Sequence, residues 1–146
     1  MPFCNISATS TQRNKRYVSR RRRVLIVVVP TILVVDDEPA ILRLLSLMLR
    51  DLGCEAITAG DAETALDRLS GVDPSLIISD IRLPGMSGLE FADRVKSDAR
   101  FSAVPIVLIS AFGEPNGGGH AGDGFLAKPF DIESLTDVLR TYLEIN

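Results

Sequence analysis

The sequence predicts an α/β fold: a five-stranded parallel sheet with helices on both faces. Two observations carry this. Five short apolar runs of strand length begin near Ile32, Cys54, Leu76, Ile106 and Phe125, set off by Gly, Pro and acidic residues. Segments with apolar residues at helical spacing alternate with them, and strand alternating with helix is the pattern of a parallel sheet covered on both sides. A third observation concerns chemistry. Four runs end on reactive groups: Asp36 and Asp37, then Asp80, then Ser110, then Lys128.

The elements follow in order. Pro30 cannot sit inside a central strand, so the first strand begins just after it and spans Thr31–Val35. Pro39 suits a first helical turn, with Asp37 or Glu38 as cap. Ile41, Leu44, Leu45, Met48, Leu49 and Leu52 recur at helical spacing, and Gly53 stops the helix. Cys54–Thr58 reads as the second strand. Gly60 and Asp61 open a helix with Ala62, Ala65, Leu66 and Leu69 inward, ended by Gly71. Asp73-Pro74 turns the chain into the strand at Leu76. Leu89, Ala92 and Val95 mark a third helix, and Pro105 precedes the strand Ile106–Ile109. Phe125–Ala127 is the last strand. Asp131 caps a last helix with Leu135, Val138, Leu139 and Tyr142 at core spacing.

Composition narrows the function classes. A chain of 146 residues, 46% hydrophobic and 24% charged, supports one domain with a sizeable core. Residues 1–23 hold seven Lys/Arg and no acid, so nine bases face nineteen acids in the remainder, a balance of −10. That acidic part is not expected to bind nucleic acid directly. Residues 1–30 read as a basic, disordered extension and 31–146 as the folded domain. The basic tail and the apolar run after it imitate a signal peptide, but no small-residue cleavage site follows. About a dozen apolar residues also fall short of the roughly 20 that span a membrane. The Val24–Val29 run is assigned to no element. Cys4 and Cys54 have the spacing of neither a metal site nor a disulfide framework; Cys54 reads as a small core residue and the setting as cytoplasmic.

Right-handed crossovers place the C-terminal ends of parallel strands on one edge, so the reactive strand ends become neighbours. Three carboxylates then meet. At about 4 Å and an effective dielectric near 20, each like-charge pair costs roughly 4 kcal/mol. A hard divalent cation removes that conflict. Mg²⁺ takes few protein carboxylates, keeps waters and bridges to phosphate oxygens, which suits this set.

With Asp36-Asp37, Asp80 followed by Pro84 and Gly88, Ser110, and Lys128-Pro129-Phe130, residues 31–144 resemble the receiver domain of two-component response regulators. The resemblance implies the flavodoxin-like strand order 2-1-3-4-5. It implies Asp80 as phosphoacceptor, with Lys128 and Ser110 completing the catalytic set. Asp37, Asp80 and the Arg82 main-chain carbonyl would bind Mg²⁺ directly, and Asp36 mainly through water. Ser110 would be the switch hydroxyl and Phe125 the switch aromatic. A cis Lys128–Pro129 bond would be typical. The implied partners are a sensor histidine kinase or histidine phosphotransfer protein and a downstream protein. With the last helix running to the chain's end, the expectation is a stand-alone regulator, a phosphoacceptor module and not an enzyme. The enzyme alternative, an aspartyl-phosphate phosphatase or phosphotransferase, wants a second acid two residues after the nucleophile. Arg82 stands there and cannot give up a proton. His120, in a glycine-rich stretch, is assigned no phosphotransfer role.

One departure stands out. Ser110 and Lys128 are about four residues closer than in typical receivers, close to one helical turn. Pro115 and five glycines between Gly113 and Gly122 oppose a helix there, each interior glycine by about 1 kcal/mol against alanine. A short or absent fourth helix is therefore expected, with phosphorylation ordering the loop.

Overall fold

A computed structural model describes residues 28–113 and 121–143. Nine elements follow in the order β1 (Thr31–Val35), α1 (Pro39–Asp51), β2 (Glu55–Ala59), α2 (Ala62–Leu69), β3 (Leu76–Asp80), α3 (Gly88–Ser97), β4 (Ile106–Ser110), β5 (Gly124–Ala127) and α4 (Ile132–Leu143). The sheet order is β2-β1-β3-β4-β5, as the resemblance implied, and every pairing is parallel.

Strand alternation divides the core in two. Ile32, Val34, Leu76, Ile78, Val107, Ile109 and Leu126 face α1 and α4, packing against Leu45, Leu49, Leu135, Leu139 and Leu143. Leu33, Val35, Ile77, Ile106 and Leu108 face α2 and α3, packing against Ala62, Ala65, Leu69, Phe91, Ala92 and Val95. Strands β1, β3 and β4 are buried on both faces, which is why they read as unbroken apolar runs.

Local chemistry fixes the helix ends. Asp61 Oδ1 accepts from the Thr64 N–H and Asp131 Oδ1 from the Ser134 N–H, so both acids cap as expected. Ser87 and Glu90 form a reciprocal capping box at α3. Cys54 is buried, as expected for a small core residue.

Several expectations need adjustment. Strand β2 starts one residue later than Cys54. Leu44, at core spacing, is exposed: the inward stripe of α1 centres on Leu45 and Leu49, with Ile41, Leu42, Met48 and Leu52 flanking it. Phe91 and Leu143 are core residues that the spacing did not single out. Between β4 and β5, residues 111–113 and 121–123 carry no helix; 114–120, and with them His120, lie outside the described residues. So does nearly all of the 1–30 extension, of which Val28–Pro30 form no regular element. Among the described residues, no helix is long and apolar enough to cross a membrane.

Candidate functional site: an acidic cluster at the sheet edge

The C-terminal ends of β1, β3, β4 and β5 converge as the crossovers require. Register pairs Val35 with Ser79, Asp80 with Ile109 and Ser110 with Ala127. Asp36 and Asp80 therefore emerge side by side, and Ser110 and Lys128 rise from the strands beyond. The Lys128 N–H donates to the Ser110 carbonyl at 2.9 Å, which ties those two together. The Lys128–Pro129 bond is cis.

The loop after Asp80 is held against the site by a close approach at Gly88. A Cβ added there would fall on the Asp80 carbonyl oxygen and 2.8 Å from Ile81 Cα, so only glycine fits. The Gly88 N–H donates to the Ile81 carbonyl at 2.8 Å. The Arg82 N–H faces Asp80 Oδ1 at 3.3 Å.

The charges are unbalanced. Asp36, Asp37, Glu38 and Asp80 each offer a carboxylate oxygen, and these oxygens lie within 4.8 Å of one another. Lys128 Nζ is the cation among them, 3.0 Å from Asp36 Oδ2, 3.1 Å from Asp80 Oδ2 and 3.5 Å from Glu38 Oε1. Asp36 is fully buried; its Oδ1 accepts from the Glu38 N–H, while Oδ2 meets Lys128 as a charge but lacks a well-directed hydrogen bond. Burial pushes the Asp36 carboxyl above its ordinary range; the Glu38 N–H and Lys128 pull it down, the Asp80 charge adds to the rise, and the net direction is up. Burial also pulls the Lys128 ammonium down, but its close contacts with the Asp36 and Asp80 carboxylates outweigh that and raise it. The lysine stays charged and still leaves the acid cluster net negative. An uncompensated group of hard oxygen donors, one of them buried without a hydrogen bond, fits a hard divalent cation.

Ser110 is buried and its Oγ accepts from the Phe112 N–H at 3.0 Å. Phe125 is half-buried on β5. The Arg82 guanidinium stacks 4.2 Å over the exposed Phe112 ring. The sequence offers Asp37 or Glu38 as the cap of α1, and the structure places Glu38 there. Its side chain, however, makes no capping bond and turns to Lys128 instead. The available signal was a third acid directly after Asp36-Asp37.

This fold and this edge define a class of phosphoryl-accepting signalling domains. The chain belongs to the response regulator receiver domain family, whose sequence pattern matches residues 32–140. It is 37% identical over 114 residues to response regulator Rre1 of Synechocystis sp., covering 75% of this chain and 49% of that protein. It is 28% identical over 113 residues to protein PilG of Pseudomonas aeruginosa, covering 75% and 84%. The chain thus spans about half the length of several relatives, and most of PilG. Among solved structures, the chemotaxis protein CheY4 of Vibrio cholerae superposes with a TM-score of 0.75 at 32% identity, covering 79% of this chain and 99% of that one. The receiver domain of a Pseudomonas aeruginosa sensor histidine kinase, whose structure holds magnesium in its active-site cleft, shares the fold at 24% identity and a TM-score of 0.73, covering 80% and 99%. These are signalling modules and not a classical enzyme family, and they lend no support to the phosphatase or phosphotransferase alternative.

Proposed function

We propose that residues 31–146 take a phosphoryl group onto Asp80 from a phosphohistidine of a sensor histidine kinase or histidine phosphotransfer protein, and thereby switch binding of a downstream protein. The observation that carries this is Lys128, held 3.0 and 3.1 Å from Asp36 and Asp80 beside an unbalanced acid cluster. An Asp80 carboxylate oxygen attacks phosphorus. The P–N bond to the donor imidazole breaks, its electron pair stays on the imidazole nitrogen, and an acyl phosphate forms. Charge spreads over the phosphoryl oxygens in flight. The Lys128 ammonium and the Ser110 hydroxyl meet that charge, the hydroxyl donating its proton while its oxygen is free to keep accepting from the Phe112 N–H. Asp37, Asp80 and the Arg82 carbonyl would hold Mg²⁺, with Asp36 acting through water. Bound there, Mg²⁺ would supply positive charge to offset the carboxylates and the phosphoryl group. Arg82 and Phe112 stand at the mouth of the site and shield the acyl phosphate from water.

Intact-mass spectrometry with a small amido phosphate donor tests the proposal. One phosphoryl group per chain is expected with Mg²⁺ and none with a chelator. Asp80→Asn accepting a phosphoryl group at the wild-type rate contradicts it.

A further inference from the structure

Ser79 is the residue before the phosphoacceptor, and its place in the sheet is unusual. It is fully buried on β3, between Val35 on β1 and Leu108 on β4 in register. It lies two residues after Ile77, so it faces the α2/α3 layer. The residues around it on that face are the apolar core residues Leu33, Val35, Ile77, Ile106 and Leu108, with hydroxyls otherwise only at the start of β1 (Thr31) and the end of β4 (Ser110). A hydroxyl buried in such a layer needs a partner. Ser79 Oγ donates to the Asp80 main-chain carbonyl at 3.0 Å.

That carbonyl belongs to the peptide linking Asp80 to Ile81, which is held from a second side. Gly88 packs on it so closely that a Cβ has no room. Two further bonds hold this peptide and the one after it. The Ile81 N–H donates to the Ile109 carbonyl at 3.0 Å, and the Ile81 carbonyl accepts from Gly88 at 2.8 Å. Beyond it, the Arg82 N–H faces Asp80 Oδ1. Turning this peptide would shift the Arg82 carbonyl and the Arg82 N–H, and with the N–H the contact that holds Asp80 Oδ1.

We infer that Ser79 is a positioning residue: its hydroxyl, opposite Gly88, fixes the Asp80–Ile81 peptide and so aims the Asp80 carboxylate and the Arg82 main chain at the phosphoryl group. The inference rests on Asp80 being the phosphoacceptor. Misplacing a reacting group by a fraction of an ångström to an ångström slows a reaction by orders of magnitude while changing the fold little. Alanine removes the hydroxyl, threonine keeps it on a side chain suited to a strand, and cysteine keeps the size with a weak donor.

The test compares wild type, Ser79→Ala, Ser79→Cys and Ser79→Thr, all well below their melting temperatures. The rate of phosphorylation by a small amido phosphate is followed by intact mass, with Mg²⁺ affinity measured by calorimetry. Alanine and cysteine are expected to slow phosphorylation about tenfold or more and to weaken Mg²⁺ binding, and threonine to restore both. A structural role alone would lower melting temperature and leave the rates of the folded variants equal. Wild-type rates in the alanine or cysteine variant overturn the inference, as does a threonine variant as slow as alanine while folded. If alanine does not fold, the cysteine–threonine contrast decides in the same way. Wild type that accepts no phosphoryl group instead overturns the assignment of Asp80, which separates the two failures.

Discussion

Among the described residues, two lysines pair with aspartates at opposite ends of the sheet, and the two arrangements are built differently. At the end where β4 begins, Lys96 Nζ lies 2.8 Å from Asp123 Oδ2 and also donates to the Val104 carbonyl at 2.7 Å. Asp123 Oδ2 accepts in turn from the Ile106 N–H at 2.8 Å, and the Asp123 carbonyl accepts from the Tyr142 hydroxyl at 2.9 Å. One cation meets one anion, and both are bound into main-chain hydrogen bonds. This pair fastens α3, β4 and α4 to the start of β5. At the other end Lys128 serves three carboxylates, and Asp36 Oδ2 is buried without a directed hydrogen bond. Saturation marks the pair that holds the fold. Imbalance marks the arrangement where we propose that Mg²⁺ binds.

The largest expected effect separates the two ends by their response to Mg²⁺. At tenfold over its dissociation constant a ligand of the native state adds about 1.4 kcal/mol, or roughly 5 °C for a domain of this size. Thermal melts should show this gain in wild type and in Asp123→Asn, and lose it in Asp37→Asn. Equal gains in all three would erase the contrast.

Next comes stability itself. Asp123→Ala leaves the Ile106 N–H without its acceptor and the Lys96 ammonium without its anion, and should destabilise by about 1 kcal/mol, since the pair is partly exposed and Lys96 keeps the Val104 carbonyl. Urea denaturation measures it, and the phosphorylation rate should not change. A slowed phosphorylation would show that the two ends are coupled.

A smaller effect is expected at the mouth of the site. Arg82→Ala combined with Phe112→Ala should shorten the phosphoryl lifetime severalfold, because the stacked pair no longer excludes water. An unchanged decay rate by mass spectrometry removes that role.

The smallest concerns the capping acids, which belong to neither pair. The Ser134 N–H holds Asp131 below the usual carboxylate range, and the Thr64 N–H does the same for Asp61. A carboxyl lowered in the folded state stabilises above its unfolded pKa, and that stability is lost as pH falls through the folded value. The melting-temperature difference between wild type and Asp131→Ala should be full at neutral pH and vanish in strong acid. A difference that grows on acidification contradicts the cap.

How far the sequence carries the reader follows from the range of each signal. Strand and helix positions were legible because period and punctuation are local: Pro30 before β1, Gly53 after α1, and Asp131 at α4 all fell where expected. The strand order was not in the periodicity and came with the family resemblance. Leu44 misled because one apolar stripe on α1 is wider than the core it covers. Glu38 was placed correctly on the chain, but which way its side chain turns depends on Lys128, ninety residues away. Asp123 carries no signal in the sequence, since its partners Lys96 and Ile106 share no local pattern with it. Conversely, Asp36, Asp80 and Lys128 were legible as neighbours because parallel topology alone gathers strand ends at one edge.

The most direct measurement is the position of the phosphoryl group. Phosphorylated protein is reduced with borohydride, which converts an aspartyl phosphate to homoserine, and the digest is sequenced by tandem mass spectrometry. The conversion is predicted at Asp80, dependent on Mg²⁺ and on Lys128. Conversion at Asp36, Asp37 or elsewhere, with Asp80 intact, would contradict the account.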